Sequence, residues 1–503
     1  MAANANMYAH FQQHFPSDLD TQLLVDADGR NVTYREAQEA SARIANSLLK
    51  LGAIPGDRIT VQVEKSVENL FLYLACLRAG LVYHPLNTAY TASELSYFLG
   101  NAEPTIVICA SDALATIESV LPTKGVKALL TLDADGRGTL MQQAKDASAQ
   151  ADVIRCKGAD MAALLYSSGT TGQPKGIMLS HDNLRKNAET LVDAWGFSAA
   201  DRLLHMLPIY HVHGLFVGLG CVLMSGASMV WHSRFTDKAA IAALPDCTVM
   251  MGVPTYYTRL LANPEFDAEC CWNMRLFVSG SAPLLSETFV EFSSRTGHTI
   301  LERYGMTETG MNTSNPLKGE RRAGTVGPPL PGVTVRIVDD SGRDLAEGDT
   351  GNLQVKGPNV FPGYWHMPEK TAEDFTFDGF FNTGDKATID PDGYVSIVGR
   401  AKDMIISGGL NVYPKEIELV IDDIEGINES AVIGVPDADF GEAVVAVIIA
   451  SGSPPSAEQV ISHCRTQLAN FKVPKRVEVI DALPRNAMGK VQKNLLRERF
   501  ATV

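Results

Sequence analysis

Cysteine is scarce and unpatterned: eight residues are spread through 503, singly except for the neighbours Cys270 and Cys271, and no C-x-x-C occurs. That excludes a zinc ribbon, a dithiol redox centre and a disulfide framework, and it suits a reducing, cytoplasmic setting. Positive charge is in deficit too. The 43 Lys and Arg are outnumbered by 58 Asp and Glu, for a net charge of −15. So acidic a body argues against non-specific nucleic-acid binding. The opening stretch MAANANMYAHFQQHF has neither a basic region nor an apolar run, so no targeting segment is expected there. Long apolar runs are missing apart from Gly214–Ser233, which holds no Asp, Glu, Lys or Arg. Its four Gly and three Ser read as a buried helix followed by a strand, not a membrane span.

What is present is a globular composition, 45% hydrophobic and 20% charged, in a chain long enough for at least two domains. Thr33 with Glu36 three residues on predicts a capped helix ending near Gly52. Short apolar runs (Ile59–Val63, Thr105–Cys109, Ala128–Thr131, Ser228–Trp231, Thr248–Gly252 and Arg275–Ser279) alternate with helical segments, the pattern of α/β layers with largely parallel sheets. From Thr325 to Val398 the texture becomes Gly/Pro-rich with short alternating strands, predicting a small antiparallel, barrel-like subdomain. A helix over Pro414–Asp422, two strands and a second helix follow. These changes divide the chain into residues 1–400 and 401–503. From Cys464 onward nine basic residues face three acidic ones, either a solvated basic surface or a contact for phosphates.

The segment Tyr166-Ser-Ser-Gly-Thr-Thr-Gly-Gln-Pro-Lys-Gly176 follows an apolar strand and concentrates groups that hold phosphate oxygens: Ser167, Ser168, Gly169, Thr170, Thr171, Gly172 and Lys175. It is not a Walker A loop, because Pro174 and Gly176 stand where Gly and Ser/Thr are required. His211-Val-His213 on a strand would put both imidazoles on one face, for a metal or for a pocket wall, but no third ligand lies nearby. Arg259 follows an apolar run on a predicted helix. It is either a surface arginine or a buried guanidinium awaiting a carboxylate.

With YSSGTTGQPKG, three more segments occur in order: Tyr304-Gly-Met-Thr-Glu-Thr309, Thr383-Gly-Asp385 with Gly399-Arg400, and Pro484-Arg-Asn-Ala-Met-Gly-Lys490. Over essentially its whole length the chain resembles the acyl-adenylate-forming superfamily of acyl-CoA synthetases, luciferases and peptide-synthetase adenylation domains. The resemblance implies an α/β fold: a large N-terminal domain of two helix-flanked sheets plus a small β-barrel subdomain, and a smaller mobile α+β C-terminal domain. It implies ATP, Mg²⁺ and coenzyme A as reaction partners, with no nucleic acid and no membrane. Lys490 would bridge the carboxylate and the α-phosphate, and Glu308 and Thr170 would hold Mg²⁺ beside Thr307. Asp385 and Arg400 would take the ribose. Ser281, Ala282, Pro283, Glu302, Arg303, Tyr304 and Gly305 would line the nucleotide. Lys402 would be the hinge, and Gly408 and Gly409 the coenzyme A tunnel.

MGVPTYYTRLL, SGSAPLL, ERYGMTETGMNTSNP, KGPNVFPGYW and PRNAMGKVQKN narrow the resemblance to malonyl-CoA synthetases. There Arg259 and Ser281 would engage the distal carboxylate, His211 would sit beside the acyl group, and Met306 would cap a short pocket. His84 stands where an apolar residue is expected. A ligase for methylmalonate or another short acid, a stand-alone enzyme loading a carrier protein, and a non-catalytic nucleotide sensor are the alternatives.

Overall fold

The computed structural model describes residues 4–166, 174–400, 403–407, 410–437, 441–468, 470–486 and 489–501. Short apolar runs between helices do form parallel sheets. In a six-stranded sheet Ala128–Thr131, Ile106–Cys109, Arg58–Gln62, Val82–Pro85 and Met161–Tyr166 lie parallel, and Gly176–Ser180 closes one edge antiparallel. An eight-stranded sheet has Leu301–Met306, Leu276–Ser279, Val249–Gly252, Arg202–His205, Ser228–Trp231 and Gln22–Asp26 in parallel order, with Gly310–Ser314 and Asn31–Thr33 antiparallel at its edges. Between them runs the helix Val67–Arg78, buried at every position. A helix apolar on all sides must be enclosed, and one apolar core takes residues from both sheets around it.

Local signals explain the element ends. The helix Tyr34–Lys50 begins where Thr33 Oγ1 accepts from the Glu36 N–H at 3.1 Å. Gly214–Ser233 forms a π-turn over His213–Gly218, the α-helix Leu219–Ser225 and the strand Ser228–Trp231. Among the described residues no helix is long and apolar enough to cross a membrane. His84 is a neutral core residue. Its Nδ1 shares a hydrogen with Thr60 Oγ1 at 2.7 Å, its ring leans on Tyr166, and burial pushes its pKa down to about 3.

The region after Thr325 is a four-stranded antiparallel sheet over its own apolar core: Thr334–Val338, Gly351–Lys356, Phe381–Ile389 and Val395–Arg400. The nine-residue strand Phe381–Ile389 adds to the three that patterning predicts. The smaller C-terminal domain has a five-stranded sheet led by Ile427–Asp437 and Gly441–Ala450, with helices Pro414–Asp422, Ala457–Gln467 and Lys493–Phe500. Ligands of such sheets bind beyond the carboxyl ends of the parallel strands, the ends at which Tyr166 and Met306 stand.

Candidate active site

The Asp385–Arg400 pair, expected at the ribose, is built from strand register. Asp385 pairs directly across from Arg400, and its Oδ1 accepts from Arg400 Nε at 2.8 Å while its Oδ2 accepts from the Tyr304 hydroxyl at 2.5 Å. Asp385 is 3% exposed. Its charge holds the Arg400 guanidinium more firmly protonated than usual; burial and then Asp385 push the Tyr304 phenol up. One residue past Tyr304, Gly305 is required by a tight hairpin, for a Cβ there would lie 2.1 Å from the Gly310 carbonyl oxygen. Thr307 and Glu308 follow in the turn of that hairpin. Glu308 is buried; desolvation raises its pKa, opposed by Arg400 and Lys175.

Lys175 sits just after the phosphate-loop segment. Its Nζ donates to the Tyr364 hydroxyl at 3.2 Å, lies 3.7 Å from Asp374, and stands 4.2 Å above the Tyr364 ring. Burial, and then the Glu308 and Asp374 carboxylates nearby, push the Tyr364 phenol up. A single buried carboxylate beside a lysine suits Mg²⁺, a hard cation that takes phosphate and water as most of its ligands. No cluster of three or more metal-ligating side chains occurs among the described residues, so the H-x-H pair has no metal partners there. Ser167, Ser168, Gly169, Thr170, Thr171, Gly172, Lys402, Gly408 and Gly409 lie outside the described residues.

In the turn after the strand Leu276–Ser279, Ser281 adopts φ +73, a left-handed conformation that costs a non-glycine residue about 1 kcal/mol or more. The turn places Ala282, Pro283 and Leu284 so that the Leu284 N–H donates to Glu302 Oε1 at 3.1 Å. Glu302 Oε2 is buried without a partner, and burial pushes its pKa up to about 7.

Ser281 Oγ also meets His213 Nδ1 at 3.3 Å. The two histidines are not on a strand, as the sequence predicts: His211 lies in the turn before the π-turn that His213 begins. Each has a buried Nε2 without a partner. Burial pushes His211 down to about 3 and holds His213 neutral as well. The π-turn is fixed from behind, where His205 Nε2 donates to the Gly214 carbonyl at 2.9 Å. His205 Nδ1 therefore accepts, from the buried Lys65 at 2.8 Å. Met306, half-buried, ends its strand beside Tyr304.

Of the two readings open for Arg259, the surface one describes its place in the structure. It is exposed on the helix Pro254–Ala262, one turn beyond Thr255, and is not a buried guanidinium. The buried guanidinium is that of Arg303, 3% exposed.

Lys490 closes the cleft from the C-terminal domain. Gly489, at φ +74, brings the Lys490 turn to the large domain, where a Cβ on it would lie 3.9 Å from Thr255 Oγ1. Desolvation and then Arg400 lower the Lys490 pKa, opposed by Asp385 and Asp403. The turn is pinned on both flanks. Arg485 pairs with Glu429 and donates to the Gly489 carbonyl, and Lys493 Nζ lies 2.5 Å from the buried Glu418. Sequence reading missed Tyr364, Asp374, Lys65 and His205; Tyr364 lies inside the quoted KGPNVFPGYW segment, the only signal that could have found it.

The fold is that of an α/β protein with a large N-terminal and a smaller C-terminal domain. The chain belongs to the AMP-binding enzyme family, which matches residues 11–365, and the C-terminal domain of that family matches residues 416–490. The ATP-bound structure of MatB from Rhodopseudomonas palustris is 51% identical, with a TM-score of 0.97 over 99% of each chain. The apo form of that protein superposes at 0.87 with the same identity and coverage, so the domain arrangement described here is nearer the ATP-bound one. Malonate–CoA ligase from Arabidopsis thaliana is 34% identical over 95% of this chain and 86% of its own. The human malonate–CoA ligase ACSF3 is 35% identical over 96% and 89%.

Proposed function

We propose that this protein joins malonate to coenzyme A through a malonyl-adenylate. In the first step a malonate oxygen bonds to the α-phosphorus of ATP, the bond from that phosphorus to the bridging oxygen breaks, and pyrophosphate leaves. In the second the coenzyme A sulfur bonds to the acyl carbon, the mixed-anhydride C–O bond breaks, AMP leaves and the thiol proton is released. The observation that carries this reading is the convergence of Lys490 with Asp385 and Arg400 in one cleft; the malonate–CoA ligase relatives, matched over nearly their whole length, supply the acid.

Asp385 accepts from the ribose hydroxyls with Arg400 beside it, and Glu302 offers its free oxygen to a donor on the base. Lys175 and the phosphate-loop hydroxyls hold the outer phosphates. Lys490, a mobile point charge, stabilises the negative charge that gathers between carboxylate and α-phosphate. Glu308, with Thr170, would hold Mg²⁺, which would supply neutralising charge at the phosphate oxygens. His211 and Ser281 line the malonate path, Met306 limits its length, and Arg259 at the mouth attracts the dianion. For thiolysis residues 401–503 turn about Lys402 against residues 1–400, withdrawing Lys490 and bringing Gly408 and Gly409 to the coenzyme A arm. The test is malonate-dependent exchange of labelled pyrophosphate into ATP, followed by AMP release that needs free coenzyme A. Both are expected; ADP as product, or AMP release that requires a carrier protein instead, overturns the reading.

A further inference from the structure

Lys65 is a buried lysine that no step above uses. It stands between the strand Arg58–Gln62 and the helix Val67–Arg78, 7% exposed. Its Nζ donates to His205 Nδ1 at 2.8 Å and to the His205 carbonyl at 2.9 Å, and it lies 4.1 Å over the Trp231 ring. An ammonium has three N–H bonds, and two acceptors with one aromatic face occupy them all. Burying such a group is costly even when it is bonded. Trp231 also covers the imidazole, with ring centroids 4.8 Å apart, so lysine and histidine share one lid.

What Lys65 fixes is a tautomer. A neutral imidazole carries one N–H. With Nδ1 engaged as an acceptor, the hydrogen sits on Nε2, which donates to the Gly214 carbonyl at 2.9 Å. That carbonyl belongs to the π-turn His213–Gly218 and also accepts from the Leu219 N–H, five residues on. In an α-helix it would accept from Gly218 instead. The imidazole lies directly against Gly218, where a Cβ would stand 3.1 Å from His205 Nε2. Its N–H therefore adds a second bond to a carbonyl held in the rarer π register. The other tautomer would set the Nε2 lone pair against the carbonyl oxygen and push the turn away. In the observed register His213 Nδ1 lies 3.3 Å from Ser281 Oγ, and the His211 carbonyl accepts from Leu215 N–H at 2.9 Å.

We propose that Lys65 is a positioning residue for acid activation: it holds His205 in the tautomer that grips the Gly214 carbonyl, and so sets the register of the π-turn that carries His211 and His213. This rests on the reading above, in which His211 and Ser281 line the malonate path, and extends it to a lysine behind that wall.

The experiment follows malonate-dependent pyrophosphate exchange in the wild type, Lys65→Met, His205→Gln and the double variant, with melting temperature as the control for folding. Methionine removes the charge without opening a cavity. Lys65→Met is expected to lose about 10-fold or more in kcat/KM for malonate, the scale of a small misplacement, with the KM for ATP unchanged. Glutamine puts an amide N–H where Nε2 stands and has no tautomer to lose, so Lys65→Met should have no further effect on top of His205→Gln. The tautomer is also read directly in the wild type at neutral pH, from the imidazole nitrogen-15 resonances that His205→Gln removes. A neutral ring with its hydrogen on Nε2 is expected, and this measurement decides if Lys65→Met does not fold. The opposite tautomer, a Lys65→Met as active as the wild type, or the same fractional loss in both backgrounds overturns the role of Lys65 and leaves the ligase reading intact. A wild type that exchanges no pyrophosphate with malonate overturns the ligase reading itself.

Discussion

At the ribose end of the cleft Asp385 is already engaged by Arg400 and Tyr304, and Lys175 by Tyr364 and Asp374, whereas at the acyl end Arg303, His211 and His213 hold buried nitrogens that bond to nothing described. A paired network keeps its shape without ligand, so the nucleotide meets donors and acceptors already in place and little ordering is left to do. An unpaired end is satisfied only by a ligand of matching charge and is penalised by any other. On the proposed reading the two ends divide the work: the first serves chemistry shared across a family, the second selects the acid.

That contrast can be broken at three points. The largest effect is expected from Lys490→Ala, which leaves both ends intact and removes the charge between them. Pyrophosphate exchange should fall by about 1,000-fold, while thiolysis of supplied malonyl-adenylate stays within a few-fold of wild type; equal loss in both half-reactions would refute the division. Next is Asp385→Asn, which strips the ribose end of its anion and releases Arg400 and Tyr304. An increase of about 10- to 100-fold in the KM for ATP is expected, with the malonate-to-propionate ratio unchanged.

The smallest effect tests the exception. Glu302 keeps a free oxygen near the nucleotide, and burial raises its pKa to about 7, against about 4.3 in the unfolded chain. Between those values the folded state binds the extra proton, so Glu302 makes the ligand-free protein lose stability as pH rises through that window. Glu302→Gln should flatten this part of the melting-temperature profile and be the more stable variant at pH 8. A parallel displacement of the two profiles would show that Glu302 has found a partner.

Much of this was legible in the sequence. Asp385, Arg400, Glu308 and Lys490 fall within contiguous motifs, so their types and spacing announce them, and the alternation of apolar runs marks the parallel sheets. Lys175 and Tyr364 meet across 189 residues and Lys65 and His205 across 140, distances at which local pattern carries no signal. The arginines show the subtler failure. Arg259 follows an apolar run, but the turn of its helix carries the side chain outward. Arg303 lies between Glu302 and Tyr304 in a segment that reads as polar, and strand pleating turns it inward. A hint was present in Gly280, the residue without a side chain that leaves space for it.

The two ion pairs flanking Lys490 have a mechanical consequence. With Arg485 fastened to Glu429 and Lys493 to Glu418, the reactive ammonium is freight on its carrier and not a swinging arm. On the proposed reading it would depart from the nucleotide only when everything bolted to it departs, so the pace of its withdrawal would be a property of a whole moving body, and loosening either bolt would let the cargo shift before the carrier does.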